Sequence, residues 1–288
     1  MLLDGKTIAI TGATGDIGRA WCFWLAAQGA SLWLLDRDEA KSTQLQADLR
    51  AVFPDLSLHR TPLDLADMTS VNAACAALCA TPPAMLIHNA GAFGIARDDN
   101  VATGLDALFQ VNFAAPYYIT RRVAPAMIAQ GEAHIVVVGS LAHRFCKTKA
   151  ADRDGRRLGS MRAYGNAKRH LMYAHYELAA AQGFALSVVH PGISPTTLFR
   201  HFPRWLQKCI NRPMKWLFMS PQKAACVVAA GCETITPYHT WLGPRVCGIW
   251  GKARLRRLPR RFYVESRAVG AYADTLFEKL AQSETSHT

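Results

Sequence analysis

Short apolar runs separated by amphipathic stretches recur along the first two-thirds of the chain. Thr7-Ile8-Ala9-Ile10, Ser31 to Leu35, Leu56 to Thr61, Met85-Leu86-Ile87-His88, Ala133 to Val138 and Ala185 to Val189 each read as a strand buried on both faces. Between them, Arg19 to Ala27, Ala40 to Val52, Met68 to Leu78, Leu105 to Val123 and Ala163 to Ala181 read as helices, the last capped by Gly183. This alternation predicts an α/β fold, a right-handed doubly wound parallel sheet of about seven strands with helices on both faces. Beyond it, Pro221 to Glu233 reads as a helix packed back on the sheet, Thr240 to Pro244 as the last strand and turn, and Glu265 to Gln282 as a closing helix.

The predicted strand ends carry distinctive residues. Thr11-Gly12-Ala13-Thr14-Gly15-Asp16-Ile17-Gly18 joins the first strand to the first helix. Strand, glycine-rich turn and helix suit a diphosphate, because glycines let backbone amides approach and a helix N-terminus favours negative charge. Gly12, Thr14, Gly15, Asp16, Ile17 and Gly18 are therefore expected to line a dinucleotide. The second strand closes with Asp36-Arg37-Asp38. A carboxylate about 20 residues past the glycines accepts from both adenosine ribose hydroxyls and repels a 2′-phosphate. Asp16 adds to that repulsion, Arg37 and Arg19 oppose it, and the balance favours NAD over NADP. Asp64, beside Leu65, is placed to accept from the adenine amino group; a helix-cap role competes, which Asp67 and Thr69 also offer. Asn89-Ala90-Gly91 follows the fourth strand at its carboxyl end, where open parallel sheets bind ligands, and is expected to pack against the cofactor.

Tyr164-Gly165-Asn166-Ala167-Lys168 puts a tyrosine and a lysine on one helix face. A free phenol, with a pKa of about 10, is a poor acid or base at neutral pH, and an ammonium beside it favours the phenolate. Ser140 ends the fifth strand at the same sheet edge as the glycine turn. Asn112 sits mid-helix, where asparagine needs a reason: a held water, a kink or simply polar surface.

At 288 residues, half of them hydrophobic, and with no repeat or low-complexity tract, the chain reads as globular, a single domain over 1–288. No secretory signal or membrane span is evident, so a cytoplasmic setting is expected. The eight cysteines show no metal-ligand spacing and read as scattered free thiols. Charge is uneven. Residues 1–140 hold nine Lys and Arg against 13 Asp and Glu, and residues 141–288 hold 24 against eight. Such a basic half would attract an anionic substrate, a membrane surface or nucleic acid, or would simply be a solvated face.

The glycine turn, Asn89-Ala90-Gly91, Asn112, Ser140, Tyr164 with Lys168, and Pro191-Gly192 with Thr196 together resemble the short-chain dehydrogenase/reductase superfamily over nearly the whole chain. Gly139-Ser140-Leu141-Ala142-His143, the long insertion before Tyr164, His190-Pro191-Gly192 with Thr196 and Leu198, and Ser220-Pro221 are similar to its retinol-dehydrogenase-like branch. The Gly12, Gly15, Gly18 spacing departs from that branch and matches the extended branch. The resemblance implies an NAD(P)-dependent oxidoreductase. Ser140 would hydrogen-bond the substrate oxygen and Tyr164 exchange its proton. Lys168 would lower the tyrosine pKa and bind the nicotinamide ribose, and Asn112 would hold a relay water. It further places Pro191, Gly192, Ile193 and Thr196 on the cofactor. It divides the chain into a mainly cofactor-binding part (1–140), an insertion (141–163), a substrate lid (196–222) and a closing segment (223–288). An NADPH-dependent biosynthetic ketoreductase and a non-catalytic nucleotide sensor on the same fold are the rival readings.

Ala142, His143, Leu198, Phe199, Phe202 and Trp205 join Ser140 and Tyr164 as expected substrate contacts. Phe199 to Leu206 and Pro213 to Met219 interleave aromatics with cations, which suits a lid over a large apolar substrate and also a helix on a membrane surface. Lys252 to Arg261 is the densest basic run. It is expected to be a solvated face first and a membrane-surface patch second, with no nucleic-acid motif around it. A homo-oligomer and no metal complete the expectations.

Overall fold

A computed structural model describes residues 3–95, 102–145, 154–192 and 220–285. Its centre is one eight-stranded sheet in the order β3-β2-β1-β4-β5-β6-β7-β8. The strands are β1 Thr7–Thr11, β2 Ser31–Asp36, β3 Leu58–Pro62, β4 Met85–His88, β5 His134–Val138, β6 Ala185–Val189, β7 Thr240–Val246 and β8 Trp250–Arg257. Pairing is parallel from β3 through β7 and antiparallel between β7 and β8. The order reverses between β1 and β4, so their carboxyl ends diverge and leave a crevice, the usual ligand position in such sheets.

Consecutive apolar residues in the central strands feed two cores, because successive side chains point to opposite faces. Ile8, Ile10, Leu32 and Leu34 join the layer of α1 (Asp16–Ala27), α2 (Glu39–Val52) and α7 (Pro221–Glu233). Ala9, Trp33 and Leu35 join the opposite layer. That layer holds α3 (Met68–Ala80), α4 (Ala107–Phe109), a π turn (Gln110–Ala114), α5 (Ala115–Ala129), α6 (Ser160–Gln182) and α8 (Arg261–Thr285).

Three elements differ from expectation. The sheet has eight strands rather than about seven, because much of the basic run forms β8. Lys252, Arg254, Arg256 and Arg257 sit on an edge strand, whose charges discourage further strand addition, while Ala253 packs toward α7. The helix carrying Asn112 runs to Ala129 rather than Val123, through Pro125. Buried Val123, Ala124 and Met127 flank that proline and hold the helix despite the lost hydrogen bond. Finally, α1 starts at Asp16 with Gly15 as its N-cap, so Asp16, Ile17 and Gly18 form its first turn instead of extending the loop.

Helix α8 closes the molecule over α5 and α6. Glu265 pairs with buried Arg169, the Tyr117 hydroxyl donates to Asp274 at 2.8 Å, and Ser266 donates to Glu177. Among the described residues no helix is long and apolar enough to cross a membrane, and no group of three His, Cys, Asp or Glu could hold a metal.

Candidate active site

The glycine turn is built by close backbone approach. Gly12 has φ +64°, and a Cβ there would stand 2.9 Å from Ala90 Cα. A Cβ on Gly18 would stand 2.7 Å from Asn89 Nδ2 and 3.0 Å from Ala13 Cα. Only glycine lets the two strand ends and α1 meet so closely. Asn89 then ties them together, donating from Nδ2 to the carbonyls of Thr11 (3.1 Å) and Gly12 (2.9 Å), while Ala90 N–H donates to Thr11 Oγ1 (3.0 Å). Asp16 is exposed at the N-terminus of α1 and Ile17 packs toward α7.

Asp36 ends β2 beside this turn. Its Oδ1 accepts from both the amide and the hydroxyl of Thr14 at 3.2 Å. Its Oδ2 is buried with no hydrogen-bond partner, and burial raises its carboxyl above the ordinary pKa, with the Thr14 bonds pulling the other way. An orphaned buried acceptor on the strand next to the glycine cradle fits a ribose hydroxyl, a donor that would satisfy it. The described residues thus fit the adenosine half of a dinucleotide. Arg37 is exposed, 3.7 Å from Asp64 Oδ2, whereas Arg19 is tied to Asp48 at 2.8 Å. Asp64 Oδ1 accepts from Ala66 N–H, and Asp67, not Asp64, caps α3. Leu65 is buried and its carbonyl accepts from Gln110.

Ser140, Tyr164, Lys168, Asn112 and Gly91 converge at the ends of β4 and β5. Ser140 Oγ accepts from Ala142 N–H at 3.2 Å, in a 3₁₀ turn over Leu141–Phe145, and the Ser140 hydroxyl hydrogen-bonds the Tyr164 phenol. The turn reaches Tyr164 because α6 has glycine next in line. A Cβ on Gly165 would stand 3.0 Å from the Ala142 carbonyl carbon and closer still to its oxygen. Lys168 is 2 % exposed, donates to the Val138 carbonyl at 3.1 Å, and lies 5.9 Å from the Tyr164 ring centroid. Desolvation lowers the Lys168 ammonium to about 8 and raises the Tyr164 phenol to about 12, with the Ser140 bond opposing the latter. The expected lowering of Tyr164 by Lys168 is not seen: burial dominates, and the opposing influence is the Ser140 hydrogen bond.

Asn112 is buried in the π turn. Its Nδ2 donates to the carbonyls of Ala92 (2.8 Å) and Leu108 (2.9 Å), and its Oδ1 accepts from Ala92 N–H (3.1 Å). The side chain spends both donors on backbone, so a water could meet it only at the second lone pair of Oδ1. That atom lies beside Gly91, where a Cβ would be 3.1 Å from it and 3.0 Å from Lys168 Nζ.

Of the remaining expected residues, Ala142 is buried against Gly165. His143 is 1 % exposed, donates from Nδ1 to the Ser140 carbonyl at 2.6 Å, and is held neutral by burial, its pKa lowered to about 4. Both hold Ser140, Ala142 through its N–H on Oγ and His143 through Nδ1 on the carbonyl. Pro191 is buried and Gly192 has φ +90° at the end of β6. Ile193, Thr196, Leu198, Phe199, Phe202 and Trp205 lie outside the described residues. The sequence reading missed Phe93, whose ring meets Tyr164 edge-on with centroids 5.5 Å apart, and missed the steric demand at Gly165. An aromatic two residues past Asn-Ala-Gly, and a glycine directly after the tyrosine, were the available signals.

The family model for short chain dehydrogenase matches residues 6–151. Human dehydrogenase/reductase SDR family member 13 is 31% identical over 81% of this chain, and the chain spans 65% of that relative's length. Mouse polyprenol dehydrogenase is 30% identical over 93% of this chain and 84% of its own. Human retinol dehydrogenase 11 is 27% identical over 91% of this chain and 84% of its own.

Proposed function

Because the chain belongs to the short-chain dehydrogenase family, we propose that it is an NAD(P)-dependent oxidoreductase interconverting a hydrophobic alcohol and its ketone or aldehyde. The observation that carries this reading is the grouping of half-buried Ser140 and Tyr164 with buried Lys168 beside the glycine cradle. The nicotinamide, when bound, supplies the hydride acceptor or donor. Ser140 already accepts from Ala142 N–H, so its own hydrogen is free to point at the substrate oxygen or at Tyr164 Oη. In the oxidative direction Tyr164 must enter as the phenolate, and its Oη takes the hydroxyl proton to become the phenol; in reduction the phenol gives that proton to the carbonyl oxygen. Lys168 spends one N–H on Val138 and keeps two for the nicotinamide ribose and the phenolate. Asn112 fixes the Gly91–Ala92 backbone beside that ammonium and offers Oδ1 to a relay water.

Two relatives are named for polyprenol and retinol, apolar alcohols, and the Phe93 ring against Tyr164 gives the reacting end an apolar wall. A bulky apolar alcohol is the substrate class these features support. For the cofactor, the unpartnered Asp36 Oδ2 favours NAD. The exposed Arg37 supports the competing NADPH reading, in which it would grip a 2′-phosphate and the chain would work as a ketoreductase. Fluorescence titration with NADH and NADPH separates these, followed by turnover of apolar primary and secondary alcohols with the preferred cofactor. Tighter NADH binding with turnover is expected. If neither nucleotide binds, the enzyme reading falls.

A further inference from the structure

Three polar side chains stand in otherwise apolar surroundings one tier below the proposed site. His88 ends Met85-Leu86-Ile87-His88, Thr120 follows Tyr118-Ile119, and His175 lies between Ala174 and Tyr176; none is more than 1 % exposed. His88 Nε2 is 2.7 Å from Thr120 Oγ1, which is 3.0 Å from His175 Nε2, and His175 Nδ1 is 2.7 Å from the Leu171 carbonyl. These partners assign a proton order. A carbonyl only accepts, so His175 carries its hydrogen on Nδ1 and, being neutral, leaves Nε2 bare. Thr120 has one hydrogen, within reach of both that nitrogen and the Pro116 carbonyl at 3.1 Å; the carbonyl already accepts within the helix, whereas Thr120 is the donor placed against the bare nitrogen, and the hydrogen is assigned there. His88 must then donate from Nε2. The chain runs one way, from His88 through Thr120 and His175 to Leu171. The two rings also meet edge-on, centroids 5.6 Å apart.

Each member is rigidly joined to a different part of the site. His88 directly precedes Asn89 on β4. Thr120 lies eight residues beyond Asn112 on the continuous run of π turn and α5. His175 lies seven residues beyond Lys168 on α6, two turns along the same face. We propose that His88, Thr120 and His175 form a positioning network that sets the register of β4, α5 and α6, so that Asn89–Gly91, Asn112, Tyr164 and Lys168 meet. The core that holds these helices, with Ile119, Leu171 and the Tyr117 ring edge-on to His175 at 5.7 Å, packs through contacts that have little preferred direction. Buried polar groups gain little stability over apolar ones of the same shape, and their distinctive contribution is register. Burial keeps both imidazoles uncharged at neutral pH, His175 being lowered to about 4, so the proton order persists where the enzyme works.

The proposal rests on the oxidoreductase reading, and its test separates the two. In the full chain, Thr120→Val removes the central hydroxyl, Thr120→Ser keeps it, and His88→Leu/Thr120→Val/His175→Leu replaces the network with apolar groups. Measured properties are kcat and KM with the best alcohol, NADH affinity by fluorescence, Tm, and imidazole nitrogen shifts by NMR. Misplacement on the order of 1 Å costs about 100-fold in rate, so Thr120→Val and the triple variant should lose about 10- to 100-fold in kcat. NADH affinity and KM should stay within about threefold of wild type, and Thr120→Ser should recover most of the rate. Wild-type nitrogen shifts should show His88 protonated on Nε2 and His175 on Nδ1. Unchanged kcat in Thr120→Val, or the opposite tautomers, would overturn the network. If the triple variant does not fold, the Val/Ser pair alone decides. Absence of wild-type turnover with intact tautomers would instead count against the oxidoreductase reading.

Discussion

Gly165 is the position where a single methyl group should separate stability from activity. The 3₁₀ turn after Ser140 lies flat on α6 there, and an alanine Cβ would sit 3.0 Å from the Ala142 carbonyl carbon and nearer its oxygen. Unstrained contacts between such atoms begin at about 3.5 Å, so the turn must retreat by on the order of 1 Å. Overpacking of this kind costs about 1–3 kcal/mol, and exchanging a mid-helix glycine for alanine returns up to about 1 kcal/mol, so the variant should still fold. The turn that retreats carries Ser140, whose Oγ is held by the Ala142 amide and meets the Tyr164 phenol. A shift of about 1 Å in a reacting group lowers rate by about 100-fold. Gly165→Ala should therefore drop kcat/KM by about that factor while Tm moves by no more than about 10 °C. Gly159→Ala, where an added Cβ meets nothing within 4 Å, is the control. Steady-state kinetics with thermal melts decides the matter. Activity within threefold of wild type in Gly165→Ala would refute the packing argument.

Buried neutral histidines should make the fold acid-labile. His143 and His175 have folded pKa values of about 4, below the unfolded value of 6.5. The unfolded chain thus binds protons first as pH falls, and their stabilisation is complete above about 6.5 and lost progressively toward 4. Moving one imidazole from 6.5 to about 4 is worth roughly 3 kcal/mol, so Tm should fall steeply across that window, and a flat Tm from pH 7 to 4.5 would contradict it. Asp36→Ala removes both the orphaned Oδ2 and the acceptor for Thr14, so NADH affinity should fall and the NADH-to-NADPH preference narrow by tenfold or more, about 1.4 kcal/mol; an unchanged ratio in paired titrations would clear Asp36 of cofactor choice. Phe93→Ala should cut kcat/KM for bulky apolar alcohols by roughly tenfold more than for small ones, from lost apolar contact; equal losses across an alcohol series would remove Phe93 from substrate selection.

Much of the fold was legible because buried strands and amphipathic helices alternate with little ambiguity, and β4, β6 and α7 match their expected bounds. Errors fell where local pattern and tertiary context disagree. The edge strand β8 is so rich in arginine that it reads as surface, and only its pairing with β7 reveals a strand. Pro125 signals a helix end that packing on both sides overrides. Asn112 was recognised as needing a reason, but its backbone partners at Ala92 and Leu108, and the π turn that presents it, depend on long-range geometry. His143 and Ala142 illustrate the same limit. Sequence places them next to Ser140, while their bonds to its Oγ and carbonyl appear only in the folded turn. Nothing in the local pattern distinguishes Gly165, and its role appears only once the opposing carbonyl is in place.

The most direct test of the account is Tyr164→Phe, assayed for alcohol turnover and for NADH binding on the same preparation. The phenol hydroxyl is the proposed proton carrier, and removing it leaves the ring contact with Phe93 and the glycine cradle in place. The account predicts NADH affinity within about threefold of wild type and loss of the general acid–base contribution, at least about 10²- to 10⁴-fold in kcat. Turnover at the wild-type rate would contradict the mechanism outright.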